Sequence, residues 1–217
     1  MRLSFHVISL LVLASLSPAI AQSLSVGIKA GLRLNDAFSG SSGAINNESK
    51  RYTVGPMLDL QFPLGFGLEF DALYRREGYT VQNFDFNLFT SRERSNSWEF
   101  PIIAKYRLPG IARVAPYAGL GYAPQIVHGS RVNGAINYGL MGNIISVSSV
   151  KLDTDYDVTH GVVVEGGFNL PTPHVHIAPE IRYTRWNKPF LNVGGLHGFF
   201  YSSLRDQIEI LVGVTWH

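Results

Sequence analysis

The sequence predicts an all-β fold, an eight-stranded antiparallel up-and-down transmembrane β-barrel. Three observations predict it. Segments of about ten residues, long enough to cross hydrocarbon when tilted, alternate apolar and polar side chains. That period of two is the period of a strand, whose side chains point to opposite faces in turn. Long connections alternate strictly with short ones, as in membrane barrels with short periplasmic turns and long external loops. One row of each segment carries no charge between its ends, while the other holds nearly all the charges.

The chain has 217 residues, no cysteine and a formal charge of +2. That length suits one domain of all-β type. Without cysteine there is no disulfide framework or thiol chemistry. The mild positive balance gives no case for a nucleic-acid partner. Residues 1–21 read as a signal peptide, leaving 22–217 as the outer-membrane β-barrel domain. Met1-Arg2 is a short basic start, Val7 to Leu16 an apolar run, and Ala19-Ile20-Ala21 a cleavage signature before Gln22. The run is too short to span a bilayer as a helix. No cysteine follows the cleavage site, which argues against a lipoprotein anchor.

The first strand is Leu24 to Leu34, with Val26, Ile28, Ala30 and Leu32 on one face and Lys29 and Arg33 on the other. A Ser-, Gly- and Asn-rich loop, Asn35 to Lys50, follows. The second strand, Arg51 to Phe62, sets Tyr52, Val54, Leu58 and Leu60 against Thr53, Met57 and Asp59. Pro63-Leu64-Gly65 is a tight turn. The third, Phe66 to Arg75, sets Phe66, Leu68, Phe70 and Tyr74 against Glu69, Asp71 and Arg75. Arg76 to Asn96 is a long excursion whose Tyr79, Val81, Phe84 and Phe86 suggest a hairpin continuing beyond the membrane.

The fourth strand, Ser97 to Leu108, is the most legible. Trp98, Phe100, Ile102, Ala104, Tyr106 and Leu108 oppose Ser97, Glu99, Pro101, Ile103, Lys105 and Arg107. A turn at Pro109-Gly110 leads to the fifth, Arg113 to Ala123. Pro124 to Val158 reads as the longest irregular segment. The sixth strand, Thr159 to Leu170, sets Val162, Val164 and Phe168 against Val163 and Glu165. After a short turn, Pro171 to His174, the seventh, Val175 to Trp186, sets Ile177, Ile181 and Tyr183 against Glu180, Arg182 and Thr184. Asn187 to Asp206 is the last long loop. The eighth strand, Gln207 to Trp216, sets Ile208, Ile210, Val212, Val214 and Trp216 against Gln207, Glu209 and Leu211.

Starting the first strand at the periplasm sorts the aromatic residues by height. Tyr52, Tyr74, Trp98, Tyr122 and Tyr183 fall near the outer rim, and Phe62, Phe66, Tyr106, Phe168 and Trp216 near the inner rim. Such girdles suit rings that are apolar at one end and polar at the other. The apolar rows therefore meet lipid. The other rows hold the cations Lys29, Arg33, Arg75, Lys105, Arg107 and Arg182 and the anions Asp59, Glu69, Asp71, Glu99, Glu165, Glu180 and Glu209. In a narrow lumen these must pair, because an unpartnered buried charge is costly. The near balance predicts a closed, salt-bridged interior. A soluble barrel of lipocalin type explains the alternation equally well, but neither the girdles nor the loop asymmetry. Pro56, Pro101, Pro116 and Pro179 fall within strands, where proline cannot donate to a ladder. Bulges or local gaps are expected at some of them.

Trp98-Glu99-Phe100-Pro101-Ile102-Ile103-Ala104-Lys105-Tyr106 resembles a strand of bacterial outer-membrane β-barrel domains of the PorT and OmpA-like type. Pro116 to Gly121, Glu180 to Thr184 and Gln207 to Trp216 resemble later strands of the same domain. The resemblance implies an integral protein of the outer membrane of a Gram-negative-type cell. It also implies that the last strand is what the outer-membrane insertion machinery reads. Two departures are His217 in place of a terminal aromatic, and no peptidoglycan-binding domain after the barrel.

Site chemistry is sparse. Asp153, Asp155 and Asp157 alternate as a calcium site could, but no Gly turn or distal Glu completes one, and a solvated acidic loop is the expectation. The histidines show no metal spacing; His174 and His176 mark only a turn. No cofactor is expected. Phe84, Phe86, Phe89, Phe199, Phe200 and Tyr201 read as packing of protruding hairpins rather than a binding patch. An acyl-transfer enzyme needs a nucleophile, base and orienting acid within reach. His160, His197, Ser202 and Ser203 lie near the outer rim without a linking motif, so the chain reads as no enzyme. The expected function is a structural or interaction role through extracellular loops, with outer-membrane lipid and the insertion machinery as partners. A narrow pore is the alternative, an outer-membrane lipid-modifying enzyme the second, and a monomer the expected state.

Overall fold

The computed structural model describes residues 23–40, 44–46, 51–83, 87–109, 114–138, 144–155, 158–172, 175–190, 192–194 and 200–216. The expected leader at 1–21 lies outside them. Eight staves form the wall: β1 (Ser23–Arg33), β2 (Tyr52–Gln61), β3 (Phe66–Asp71 and Leu73–Asn83), β4 (Asn87–Glu99 and Ile102–Arg107), β5 (Ala115–Tyr138), β6 (Ile144–Asp155 and Thr159–Pro171), β7 (His176–Trp186) and β8 (Asp206–Trp216). Each pairs antiparallel with the next. β8 closes on β1 from Val26↔Trp216 to Arg33↔Glu209. The sheet therefore has no edge within the wall, the condition for strands to cross lipid.

The ladder fixes the stagger. Arg33 pairs with Glu209, which pairs with Arg182; the line continues through Glu165, Gly119, Lys105, Gly67 and Gln61 to Ser23. It returns to β1 ten residues away (33 − 23). For eight strands that stagger tilts the staves by roughly 40° and leaves a lumen that side chains fill.

Burial alternates residue by residue over 24–30, 95–106, 158–166, 180–186 and 207–213, with the charged rows buried and the apolar rows exposed. Leu120 and Ile181 are about three-fifths exposed, whereas Lys29, Glu69, Arg182 and Glu209 are fully buried. A water-soluble barrel would require the opposite arrangement. The soluble alternative is thereby set aside.

Of the four prolines only Pro101 falls in a gap, and none makes a bulge. β3 is interrupted at Ala72 and β4 at Phe100-Pro101, yet register is kept across both, from Phe70↔Ile102 to Leu73↔Glu99. The carbonyls remain useful: Pro56 accepts from Ala72 N at 3.0 Å, Pro101 from Asp71 N at 3.1 Å and Pro116 from Leu108 N at 2.9 Å. Pro179 stays within β7, opposite Val212.

One expectation is corrected. Pro124 to Val158 is not irregular: β5 runs unbroken to Tyr138, and its partner Ile144–Asp155 carries β6 upward. β3 and β4 extend beside them, with Asn83↔Phe89 and Asn87↔Asn137 paired. Beyond the membrane no face needs an apolar row, so Ser, Asn and Gly occupy these strands and the period-two signal fades. The expected loops at 35–50 and 187–206 also hold short strands. Ala44–Asn46 pairs with β3, and Phe38–Gly40, Asn192–Gly194 and Phe200–Ser203 form a small separate sheet. The turn below β2 is a 3-10 turn, Pro63–Gly65, with Leu64 and Gly65 at positive φ (65° and 86°). Glycine suits the second position because a Cβ there would lie 2.5 Å from the Arg107 carbonyl oxygen.

Candidate functional site

The inward rows meet in the lumen as two buried clusters with an apolar layer between them. In the first, β1 supplies Lys29, β3 Glu69 and Asp71, β4 Lys105, β6 Glu165, and β7 Glu180 and Arg182. Lys29 Nζ contacts Glu69, Glu180 at 2.9 Å and Asp71 at 3.2 Å. Arg182 Nη2 reaches Asp71 at 2.7 Å, Glu165 at 2.8 Å and both Glu69 and Glu180 at 3.1 Å. Lys105 contacts Glu69, lies 3.2 Å from Glu165, and sits over the Tyr117 ring at 4.4 Å. The Tyr117 hydroxyl donates to Glu180 at 2.6 Å. One reason these meet is the stagger: Glu209, Arg182 and Glu165 are direct ladder neighbours and alternate in sign. Another is Gly119, where a Cβ would lie 2.8 Å from Glu165 Cγ.

The second cluster is centred on Arg75. Its Nη2 contacts Glu209 at 2.8 Å and Glu99 at 3.0 Å, its Nη1 donates to Gln207 at 3.1 Å, and its Nε to Thr53 at 3.1 Å. Thr53 and Gln207 in turn donate to Glu209 at 2.6 and 2.8 Å. Leu73, Ile103, Val163 and Leu211, all fully buried, occupy inward positions between the charges. Ile103, Ala123, Val163 and Trp186 form one apolar group. Toward the periplasmic end Arg107 pairs with Asp59, about one-tenth exposed. Arg33 donates to Asn35 Oδ1 and the Asp206 carbonyl, each at 3.3 Å.

Thus twelve of the thirteen charged positions singled out in the sequence lie in three ion-paired groups, and Arg33 joins a rim network. Thr53, Tyr117, Gln207 and Trp186, and the apolar layer, were not singled out. All lie on the inward parity of their strands, and that parity was the available signal.

The girdle residues make local contacts. Phe66 packs on Tyr106 with ring centres 5.1 Å apart, and Tyr74 on Trp98 at 5.4 Å. Tyr183 donates to Asp206 at 2.6 Å, and Arg185 pairs with the same carboxylate. Trp216 is about half exposed and opposite Val26. Phe168, also half exposed, pairs with Pro116, while Tyr52 and Phe62 are half-buried.

No enzyme-like grouping emerges among the described residues. His160 Nδ1 meets the Tyr122 hydroxyl, with the two rings stacked. Ser203 is buried and pairs with Phe38 in the small sheet. His197 and Asp157 lie outside the described residues, as do Phe84, Phe86, Phe199 and His174. Asp153 and Asp155 lie on the upper part of β6. Glu69, Glu165 and Glu180 bring carboxylate oxygens within 4.8 Å of one another, spacing that could hold a cation. Lys29, Lys105 and Arg182 already meet those oxygens, three cations for the three glutamates, with Asp71 the one anion in excess.

An edgeless antiparallel wall, apolar outside and ion-paired within, defines the class as a transmembrane β-barrel of the outer membrane. The chain belongs to the outer membrane protein beta-barrel domain family, whose model matches residues 7–196. No curated protein sequence matches the chain. Among solved structures, the outer membrane protein OprG from Pseudomonas aeruginosa is similar at 14% identity and a TM-score of 0.52, covering 89% of this chain and 93% of that one. Neisserial surface protein A aligns at 16% identity, with 90% and 97% covered and a TM-score of 0.44. Ail of Yersinia pestis, crystallised with the heparin analogue sucrose octasulfate, aligns at 12% identity, with 89% and 97% covered and a TM-score of 0.32. At 14% identity the likeness to OprG is one of fold.

Proposed function

We propose that this barrel is a closed, non-catalytic platform of the outer membrane whose outward hairpins carry an interaction role. The observation that supports it most is the Lys29, Glu69 and Arg182 group. Its side chains reach across the lumen from β1, β3 and β7 and are fully buried, as a plug would be. The buried charged groups of the lumen and the girdle aromatics are assigned roles in stability, not chemistry. Residues 1–21 serve as the export signal and β8 as the strand that the insertion machinery reads. Within the family, kinship to PorT-like or OmpA-like barrels belongs to the same reading and rests on the motifs at Trp98 to Tyr106 and Glu180 to Thr184.

The test is conductance of purified, refolded protein in planar bilayers. No discrete openings are expected, and Lys29→Ala with Arg182→Ala should create them by removing the plug. Openings in the unmodified protein would overturn the closed reading in favour of a narrow pore.

A further inference from the structure

The sheet that rises above the membrane is asymmetric. Its order is Ala44–Asn46, the upper parts of β3 and β4, the upper part of β5, then Ile144–Asp155. On the β3 side the short strand Ala44–Asn46 covers the edge. On the β6 side no described strand does: β7 pairs with β6 only as far as Gly161↔Trp186, and among the described residues Ile144–Asp155 pairs with β5 alone. The barrel has no edge in lipid and, among the described residues, a twelve-residue strand unpaired on one side outside it.

Natural edge strands are usually blunted by proline, lysine or bulges. Here a register shift lies at the tip, between Ile144 and Ser146, and Lys151 is the one basic residue. Ile145 to Val150 is uncharged, free of proline and half β-branched, a composition that favours strand pairing. Below it Asp153 and Asp155 share a face. Their ladder partners on β5 are Ser130 and His128.

We infer that Ile144–Asp155 is a docking edge that accepts an extended segment of a second protein by β-strand addition, with basic residues of that segment opposite Asp153 and Asp155. Backbone hydrogen bonds supply the affinity in this mode and alternate side chains the selectivity. Charge complementarity fixes the direction: the basic end of the guest lies toward the membrane. A second copy of this chain is the poorer guest. In one membrane its strand would run the same way, and a two-fold axis along the membrane normal would set like backbone groups at equal heights. A parallel ladder instead needs evenly slanted bonds between unlike groups. This inference rests on the interaction role proposed above and names the partner chemistry for it.

The test uses full-length protein in nanodiscs and the peptide Lys-Thr-Lys-Val-Thr-Val-Ser-Val, which sets lysines across from both aspartates in an antiparallel ladder. Amide hydrogen exchange should show new protection at every second residue of 144–155, those whose N–H groups point out of the edge. A peptide N-methylated on its ladder-facing amides should give none. Asp153→Lys with Asp155→Lys should weaken binding by about tenfold or more, since opposite-charge cross-strand pairs become like-charge ones. Substituting glutamates for the peptide lysines should then restore it, a rescue that a misfolded variant could not give. Protection that spreads without alternation, survives N-methylation or appears without peptide as protein concentration rises would overturn the inference, the last by making a second copy the guest. If the peptide fails while deleting 139–143 or 84–86 still abolishes adhesion of cells to a host surface, the edge is wrong and the broader interaction reading stands.

Discussion

Arg182 shows what a single lumen residue contributes. It is fully buried and its guanidinium faces four carboxylates, so it cannot be removed without leaving several anions short of a partner. Breaking a buried ion pair from one side costs about 3–5 kcal/mol. Arg182→Met should therefore lower unfolding stability in urea by about that much. Arg107→Met should cost much less, because its pair with Asp59 is partly exposed near the periplasmic mouth. Equal losses for the two variants would show that the central cluster is no more buried in effect than the rim pair.

At the scale of one strand, neighbours on β2 divide the membrane from the lumen. Leu58 pairs across the wall with Val26 and Phe70 on the apolar face, and Asp59 is buried on the other. Leu58→Arg should destabilise the barrel by roughly 2–4 kcal/mol, the cost of a cation facing lipid near mid-membrane. A spin label at 58 should be relaxed by dissolved oxygen, which partitions into lipid, and one at 59 should be shielded. Water accessibility at 58 would contradict the face assignment. β8 has a second duty, since it closes the wall against β1. Trp216→Ala should lower the amount of inserted protein in cells more than it slows refolding into lipid in vitro. Equal defects in both assays would assign the effect to barrel stability rather than to recognition.

The whole molecule has a direction. All long hairpins leave one end of the barrel, where β3 to β6 continue as a sheet, and the short turns, such as Pro63–Gly65, lie at the other. Protease added to intact cells should cut within 35–50, 76–96, 124–158 or 187–206 and spare 63–65 and 171–174. The strands now found within 76–96 and 124–158 should slow cleavage there relative to 35–50, because extended segments held in a ladder fit protease clefts poorly. Cleavage at 63–65 in intact cells would invert the topology.

The division of the strands into two faces was legible in the sequence, because alternation is a property of the strand itself and survives any choice of partner. Trp98 to Leu108 states its two faces without help from the rest of the chain. The stagger and the pairings across the lumen were not legible. Arg75 meets Glu209 across 134 residues and Arg182 meets Glu69 across 113. Parity says only that each points inward; the ten-residue stagger sets which inward groups share a level. The outward sheet was also hidden, since strands in water need only backbone bonds, and Ser, Asn and Gly there look like loop. The side-chain alternation by itself determined what faces lipid and what faces the lumen, whereas closure of the wall decided which charges meet.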